Sequence, residues 1–201
     1  MEFKNEFSWS KSRDDVFNIC KRKYYFQHYG SWGGWESTAP ERTREIYILK
    51  NLSTRQIWIG QVVHDIIHLF LIQLKAGNNL NLSNLLFRLK KRLNEDFTCS
   101  ESELYKKFPK KCGLLEHEYK LSIQKEEWDK LFESAEKCII NFYNSDTLKN
   151  IKNQDSSQWI FLEDFLSFDF EGTKTYLKID FAIEKENKII LYDWKTGKER
   201  E

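Results

Sequence analysis

The stretch that most constrains this chain runs from Tyr176 to Gly197 and reads YLKIDFAIEKENKIILYDWKTG. It predicts two strands joined by a polar turn at Glu186-Asn187-Lys188. The second strand is apolar from Ile189 to Tyr192 and then meets Asp193-Trp194-Lys195. Strand side chains alternate between faces with period two. Ile189, Leu191, Asp193 and Lys195 therefore share one face, and Ile190, Tyr192 and Trp194 the other. A carboxylate and an ammonium are expected side by side where a buried apolar run ends, with Asp180 close to Asp193 across the hairpin. Two acids beside a lysine can hold a hard divalent cation through oxygen ligands. The lysine can then orient a bound water or offset charge on a phosphate. The alternative is a surface hairpin with a solvated Asp and Lys.

Ahead of the hairpin the pattern is helical. Ser8 to Ser12 supplies hydroxyl caps for a helix over about 12–29, with Val16, Ile19, Cys20 and Tyr24 on a buried face. Ser31 to Pro40 is a loop whose tryptophans, Trp32 and Trp35, either stack on bases of a single strand or pack on the neighbouring helix. Residues 41–52 form a charged helix or connector. Ser53 or Thr54 opens a helix to about Ala76, stopped by Gly77-Asn78, with Ile57, Val63, Ile67, Phe70, Leu71 and Leu74 inward. That helix carries Gly60 and His64 one turn apart. Further helices are expected over about 81–97 and 124–143, with a polar linker at 145–157. Trp159 to Phe170 reads as a strand, so 158–196 forms a three-stranded antiparallel meander. Phosphate contacts are assigned to Arg88, Lys91 and Arg92 on the third helix and to Lys106, Lys107, Lys110 and Lys111 in a loop. Either run reads equally as a solvated charged face.

Composition narrows the class. The 32 Lys and Arg nearly cancel 31 Asp and Glu, so any basic surface must be local. Four cysteines without C-x-x-C spacing predict no disulfide framework. The longest apolar run, Ile66 to Leu74, is interrupted by His68 and Gln73, and no membrane span is expected. The first residues lack the apolar core of a signal peptide, so a cytoplasmic protein is expected.

Asp180, the short hairpin and Asp193-Trp194-Lys195-Thr196-Gly197 together resemble the PD-(D/E)XK nuclease superfamily. The D-W-K-T-G ending is similar to its RecB-like branch, which includes RecB and AddB nuclease domains and CRISPR-associated RecB-like exonucleases. Gly60-x-x-x-His64 and the S-x-S start followed by Cys20-x-Arg22-Lys23-Tyr24-Tyr25-Phe26 also resemble that branch. The resemblance implies an α/β, restriction-endonuclease-like core with an N-terminal helical layer. It implies a single domain over 1–201, with a helical insertion at about 78–145. It further implies Mg²⁺ or Mn²⁺ held by Asp180, Asp193, His64 and the Trp194 carbonyl, with Lys195 positioning water. Glu163 would support the site. DNA would be the substrate, hydrolysed from an end as by the branch's exonucleases; no membrane partner is implied, and protein partners stay open. Cys20 matches one ligand of the iron–sulfur members, whose other three ligands have no match here, so a small core residue is the favoured role. Leu177 stands where a glycine is frequent, and the helix with Gln-x-x-x-Tyr and the last core strand are missing. The chain therefore looks truncated or divergent, and the alternative is a catalytically incomplete nucleic-acid-binding or assembly module.

Overall fold

A computed structural model describes residues 5–197, apart from the side chains of residues 163–165. The elements in order are α1 (Lys11–Ile19), α2 (Lys21–Tyr25), a π-helical turn (Phe26–Gly30), α3 (Glu41–Asn51), α4 (Arg55–Lys75) and α5 (Leu82–Glu101). There follow α6 (Leu104–Lys107), α7 (Leu115–Glu118), α8 (Lys125–Asn144), α9 (Asp146–Lys152), and strands β1 (Trp159–Phe170), β2 (Thr173–Lys185) and β3 (Lys188–Tyr192). The sheet order is β1-β2-β3, which gives the expected meander with helices ahead of it. The mixed helix and antiparallel sheet is consistent with the restriction-endonuclease-like α/β fold.

The chain forms two compact units. One comprises Met1–Leu52, Cys99–Gly113 and Phe165–Lys178; the other comprises Ser53–Thr98, Leu114–Asp164 and Ile179–Glu201.

In the second unit α4 is the core. Thr54 caps its start by accepting from the Ile57 N–H at 3.3 Å. The buried Glu116 carboxylate accepts from the Arg55 N–H at 3.0 Å, which places a negative charge at the positive end of the helix. Trp58, Ile59, Val62, Val63, Ile66, Ile67, Phe70 and Leu71 are buried, so α4 is covered on a wide arc rather than a narrow stripe. Ile57, expected inward, is 65% exposed instead, because it lies on the opposite side from Trp58 and Val62. The expectation that nothing here reaches membrane-span length is corrected too: α4 is long and apolar enough by length and composition. Its eight buried residues make it a core helix of this fold.

Helix α5 starts with a reciprocal pair: Asn81 accepts from the Asn84 N–H at 2.9 Å, and Asn84 from the Asn81 N–H at 3.3 Å. It buries Leu85, Leu89 and Leu93 as expected. Helix α8 packs along α4 and buries Ala135, Ile139 and Phe142. The predicted polar linker after it contains α9 instead. Ser145 caps α9 through the Leu148 N–H at 3.0 Å, and Leu148 and Ile151 are buried. Two apolar residues spaced for one helical face were enough to dock this short, otherwise polar segment.

The β2–β3 turn is one residue shorter than expected. Lys188 already pairs with Lys185, leaving Glu186 and Asn187 as the loop, at φ of 52° and 59°. Two successive left-handed residues match the right-handed twist of the strands. Phe181, Ala182 and Ile183 of β2 are buried on both faces. β3, predicted to be a buried run, is the exposed edge, with Ile189 and Leu191 each 63% exposed.

In the first unit the single helix expected over 12–29 is broken. Cys20 is extended, and its sulfur accepts from the Lys23 N–H at 3.4 Å. Cys20 is therefore an exposed cap between two helices and not a core residue. α1, α2 and the π turn contain no buried side chain, and Ile19 is 78% exposed. The lead-in pairs with β2: the Trp9 N–H donates to the Lys174 carbonyl at 2.8 Å and the Tyr176 N–H to the Trp9 carbonyl at 2.9 Å. Arg13 ties the segment down. Its guanidinium donates to the Ser8 carbonyl at 2.6 Å, to the Ser8 hydroxyl, and to Nδ1 of His28 at 3.2 Å. Trp35 packs edge-on against both Trp32 and Tyr47, the packed alternative for this loop.

Two outcomes follow from these contacts. Phe70 is fully buried against Phe142 and Tyr143, so Phe70→Ala should lower unfolding free energy by about 3–5 kcal/mol, and Ile57→Ala by well under half of that. Denaturant titration checks the pair. The second concerns acid. Burial first, then Arg13 and Lys50, push His28 down from 6.5 to about 4. The folded unit thus holds a neutral imidazole that the unfolded chain would protonate. Stability is whole above pH 6.5, falls as pH drops from 6.5 toward about 4, and loses no more from this group below that. The acid limb of a thermal-melt series should flatten in His28→Asn.

Candidate active site

The candidate site lies within the second unit, where α4, the middle of β2 and the segment after β3 meet. The β2–β3 register pairs Phe181 with Tyr192. Asp180 and Asp193 therefore occupy the next facing positions, just past the last paired residues. Here β3 ends and the chain continues as an irregular segment. The Trp194 N–H, freed from the ladder, donates to Oδ2 of Asp180 at 2.9 Å. The same oxygen lies 3.5 Å from Nδ1 of His64. Asp180 is 11% exposed and His64 20%, so the carboxylate and the imidazole meet in a largely dry place.

Gly60 explains the spacing of the helix motif. A Cβ there would lie 3.0 Å from the Thr196 hydroxyl. The missing side chain lets Asp193–Thr196 lie close on α4, and His64, one turn further on, then reaches Asp180. Trp194 pins the segment from the other side. Its ring meets Phe142 of α8 edge-on at 5.2 Å and stacks on Tyr192 at 5.8 Å. An open cleft of about 320 Å³ runs beside it, lined by Val63, Asn141, Asp193, Trp194 and Lys195 among others.

The alternation expected of Asp193-Trp194-Lys195 is present. Trp194 is half-buried, whereas Asp193 and Lys195 project outward, 63% and 76% exposed, and pair with each other at 2.5 Å. Of the four groups predicted to hold metal, His64 and Asp180 converge. The Trp194 backbone joins them through its N–H, and Asp193 is engaged by Lys195. Among the described residues, no three His, Cys, Asp or Glu side chains are gathered as a ready cation cage. The donor chemistry still suits a divalent cation: a carboxylate oxygen and an imidazole nitrogen close together, with a second carboxylate on the adjoining segment. Asp193 is exposed and short of other anchors, so only its pairing with Lys195 has to open.

The remaining predicted residues are dispersed. The Glu163 side chain lies outside the described residues. Cys20 belongs to the first unit. Arg92 is held by Asp96 at 2.8 Å and lies 3.8 Å from Asp65; Lys91 lies 3.8 Å from Glu95. Arg88 is exposed. Lys106 pairs with Glu103 at 3.1 Å, Lys107 covers the Phe108 ring at 5.5 Å, and Lys110 and Lys111 are exposed. Sequence reasoning missed Glu116, which anchors the start of α4, and Phe142, which seats Trp194. Neither carries a local signal, since both act on residues far away in the chain.

A family model for the PD-(D/E)XK nuclease superfamily matches residues 8–201. With the α/β fold and the carboxylate–imidazole pair beside D-W-K, the class is that of a nuclease. The chain belongs to the PD-(D/E)XK nuclease superfamily. No curated protein and no solved structure matches it significantly. Nucleases of this superfamily generally use divalent metals, and membership implies a nucleic-acid substrate.

The two roles of the site separate by stability. Removing the Asp180 carboxylate strands the Trp194 N–H, so Asp180→Ala should cost about 1–3 kcal/mol. Lys195→Ala, on an exposed side chain, should cost under about 0.5 kcal/mol. Urea denaturation of the two variants compares them directly.

Proposed function

We propose that the protein is a metal-dependent deoxyribonuclease of the RecB-like branch that degrades DNA from an end. The observation that carries this reading is the meeting of Asp180 and His64 at 3.5 Å beside Asp193 and Lys195. Asp180 and His64 would hold Mg²⁺ or Mn²⁺, joined by Asp193 and the Trp194 carbonyl. The cation supplies Lewis-acid charge that acidifies water and offsets the charge of a phosphodiester. The chain's own residues have distinct tasks. The Trp194 N–H holds one Asp180 oxygen in place, so the carboxylate is oriented before any ligand arrives. His64 on α4 is rigid, because the helix is buried around it. Lys195 extends into solvent and can reach a phosphate oxygen or steer the attacking water, which offsets negative charge as the phosphorus gains a fifth oxygen. Releasing Lys195 from Asp193 serves both partners at once, since the acid becomes a ligand and the ammonium becomes free.

A second reading has its own support. Asp193 is paired with Lys195, and no three-ligand cage exists among the described residues. Both are what a catalytically incomplete nucleic-acid-binding or assembly module of the same fold would show.

Cleavage of end-labelled linear single-stranded and duplex DNA with Mn²⁺ decides between them. Under the nuclease reading, products accumulate from the ends, and Asp180→Ala and Lys195→Ala each lose about 100-fold or more of the rate. Folded protein that binds Mn²⁺ but leaves all substrates whole supports the incomplete module. Cleavage retained in both variants sinks the assigned site.

A further inference from the structure

The first unit exposes an unusual set of rings. Phe7 is 59% exposed, Trp9 40%, Phe17 43% and Tyr29 37%, although α1, α2 and the π turn bury nothing. These rings gather round one cavity of about 410 Å³, walled by Phe7, Trp9, Phe17, Tyr24 and Tyr29 with Arg13 and Asp14 at its polar side. A second cavity of about 660 Å³ adjoins it, sharing Ser8, Trp9 and Arg13. Its other walls mix hydroxyl and basic groups, Ser10, Lys11, Ser12 and His28 among them, with the apolar Phe168 and Leu177.

Lys11 is taken up by Asp15 at 2.6 Å, with Asp14 at 3.8 Å. Arg13 has no carboxylate partner among the described residues. It acts on His28 together with Lys50, so two cations lie near one imidazole. Burial, then Arg13, also hold the Lys50 ammonium below its usual range. Arg13 donates to Nδ1 of His28, which assigns the imidazole proton to Nε2. That Nε2 is buried and meets no hydrogen-bond partner among the described residues. A buried N–H donor without an acceptor is costly. An anion in the adjoining cavity would give that donor an acceptor and Arg13 a counter-charge.

We infer that the two cavities form a site for one unpaired nucleotide of a single strand, with the base among the rings and the phosphate beside Arg13. Phe7 and Trp9 are exposed and can stack on a base, and every base has a matching face. A base inside a duplex already has both faces covered by its neighbours, so the cavity selects an unpaired strand. This inference rests on the nuclease reading for its substrate class. It places a strand-holding site in the first unit, apart from the basic runs that charge patterning alone suggests.

The test is binding without cleavage. Anisotropy of a fluorescein-labelled 20-nucleotide oligothymidylate is titrated with the full chain in EDTA. Trp9→Ala and Phe17→Ala should each weaken binding roughly ten-fold with an unchanged salt slope. Arg13→Ala should lower the slope of log affinity against log salt by about 0.7, and Arg13→Lys should restore it. Because Arg13 also holds Ser8, the two ring variants, whose side chains are partly exposed, carry the decision if Arg13→Ala fails to fold. Unchanged affinity in both ring variants overturns the inference. So does a blunt duplex of the same length that binds as tightly as the single strand. Asp180→Ala separates this from the nuclease reading. Strand binding that survives there and falls in the ring variants keeps the inference even where cleavage is absent. Cleavage lost in Asp180→Ala with ring variants binding normally removes the inference alone.

Discussion

Burial of α4 is the constraint on which the second unit depends. Eight of its side chains leave water, and α8 packs along it. The first N–H groups of such a helix have no partner within it. Thr54 and the buried Glu116 accept two of them. The helix is then a rigid post. Gly60 opens a notch in it, and the segment after β3 settles there because no Cβ opposes Thr196. His64 stays near Asp180 only in that context, since an imidazole on a mobile helix would not hold its place.

A single backbone hydrogen bond converts the sheet edge into a site. Once β3 stops pairing at Tyr192, the Trp194 N–H needs an acceptor, and Asp180 provides it. The half-buried Trp194 ring, seated on Phe142 and Tyr192, sets the direction of its neighbours. Asp193 and Lys195 must then face the other way, into solvent. The ring is thus the anchor, and the two charged residues are the ones left accessible. Their mutual pairing at 2.5 Å holds both until a ligand competes for them.

The two units use aromatic residues in opposite ways. In the second, Phe70, Phe142, Trp159 and Phe181 are buried and pack edge-on in pairs. In the first, Phe7, Trp9, Phe17 and Tyr29 line open space next to a guanidinium. Rings kept in water lower stability, and their retention beside Arg13 is what the proposed strand site would require.

Much of the plan was legible in the residues themselves. The strand period put Asp193 and Lys195 on one face, and hydroxyl and glycine signals placed α4 within a residue or two of its ends. These are local effects, set by neighbours in the chain. The break at Cys20, the docking of α9 and the exposure of β3 were not legible, because each depends on what lies across from the segment. Helical spacing over 12–29 promised a buried face, but no partner covers it. Ser145 to Ser157 looked like linker, yet Leu148 and Ile151 found a surface. An apolar run from Ile189 to Leu191 reads as core until one knows that its strand is last in the sheet. The sequence by itself determined the pairing of Asp193 with Lys195 and the presence of a one-turn Gly60–His64 step. Only the tertiary structure decided that His64 meets Asp180, since residues 116 positions apart are brought together by the packing of α4 under the sheet end and not by any local preference.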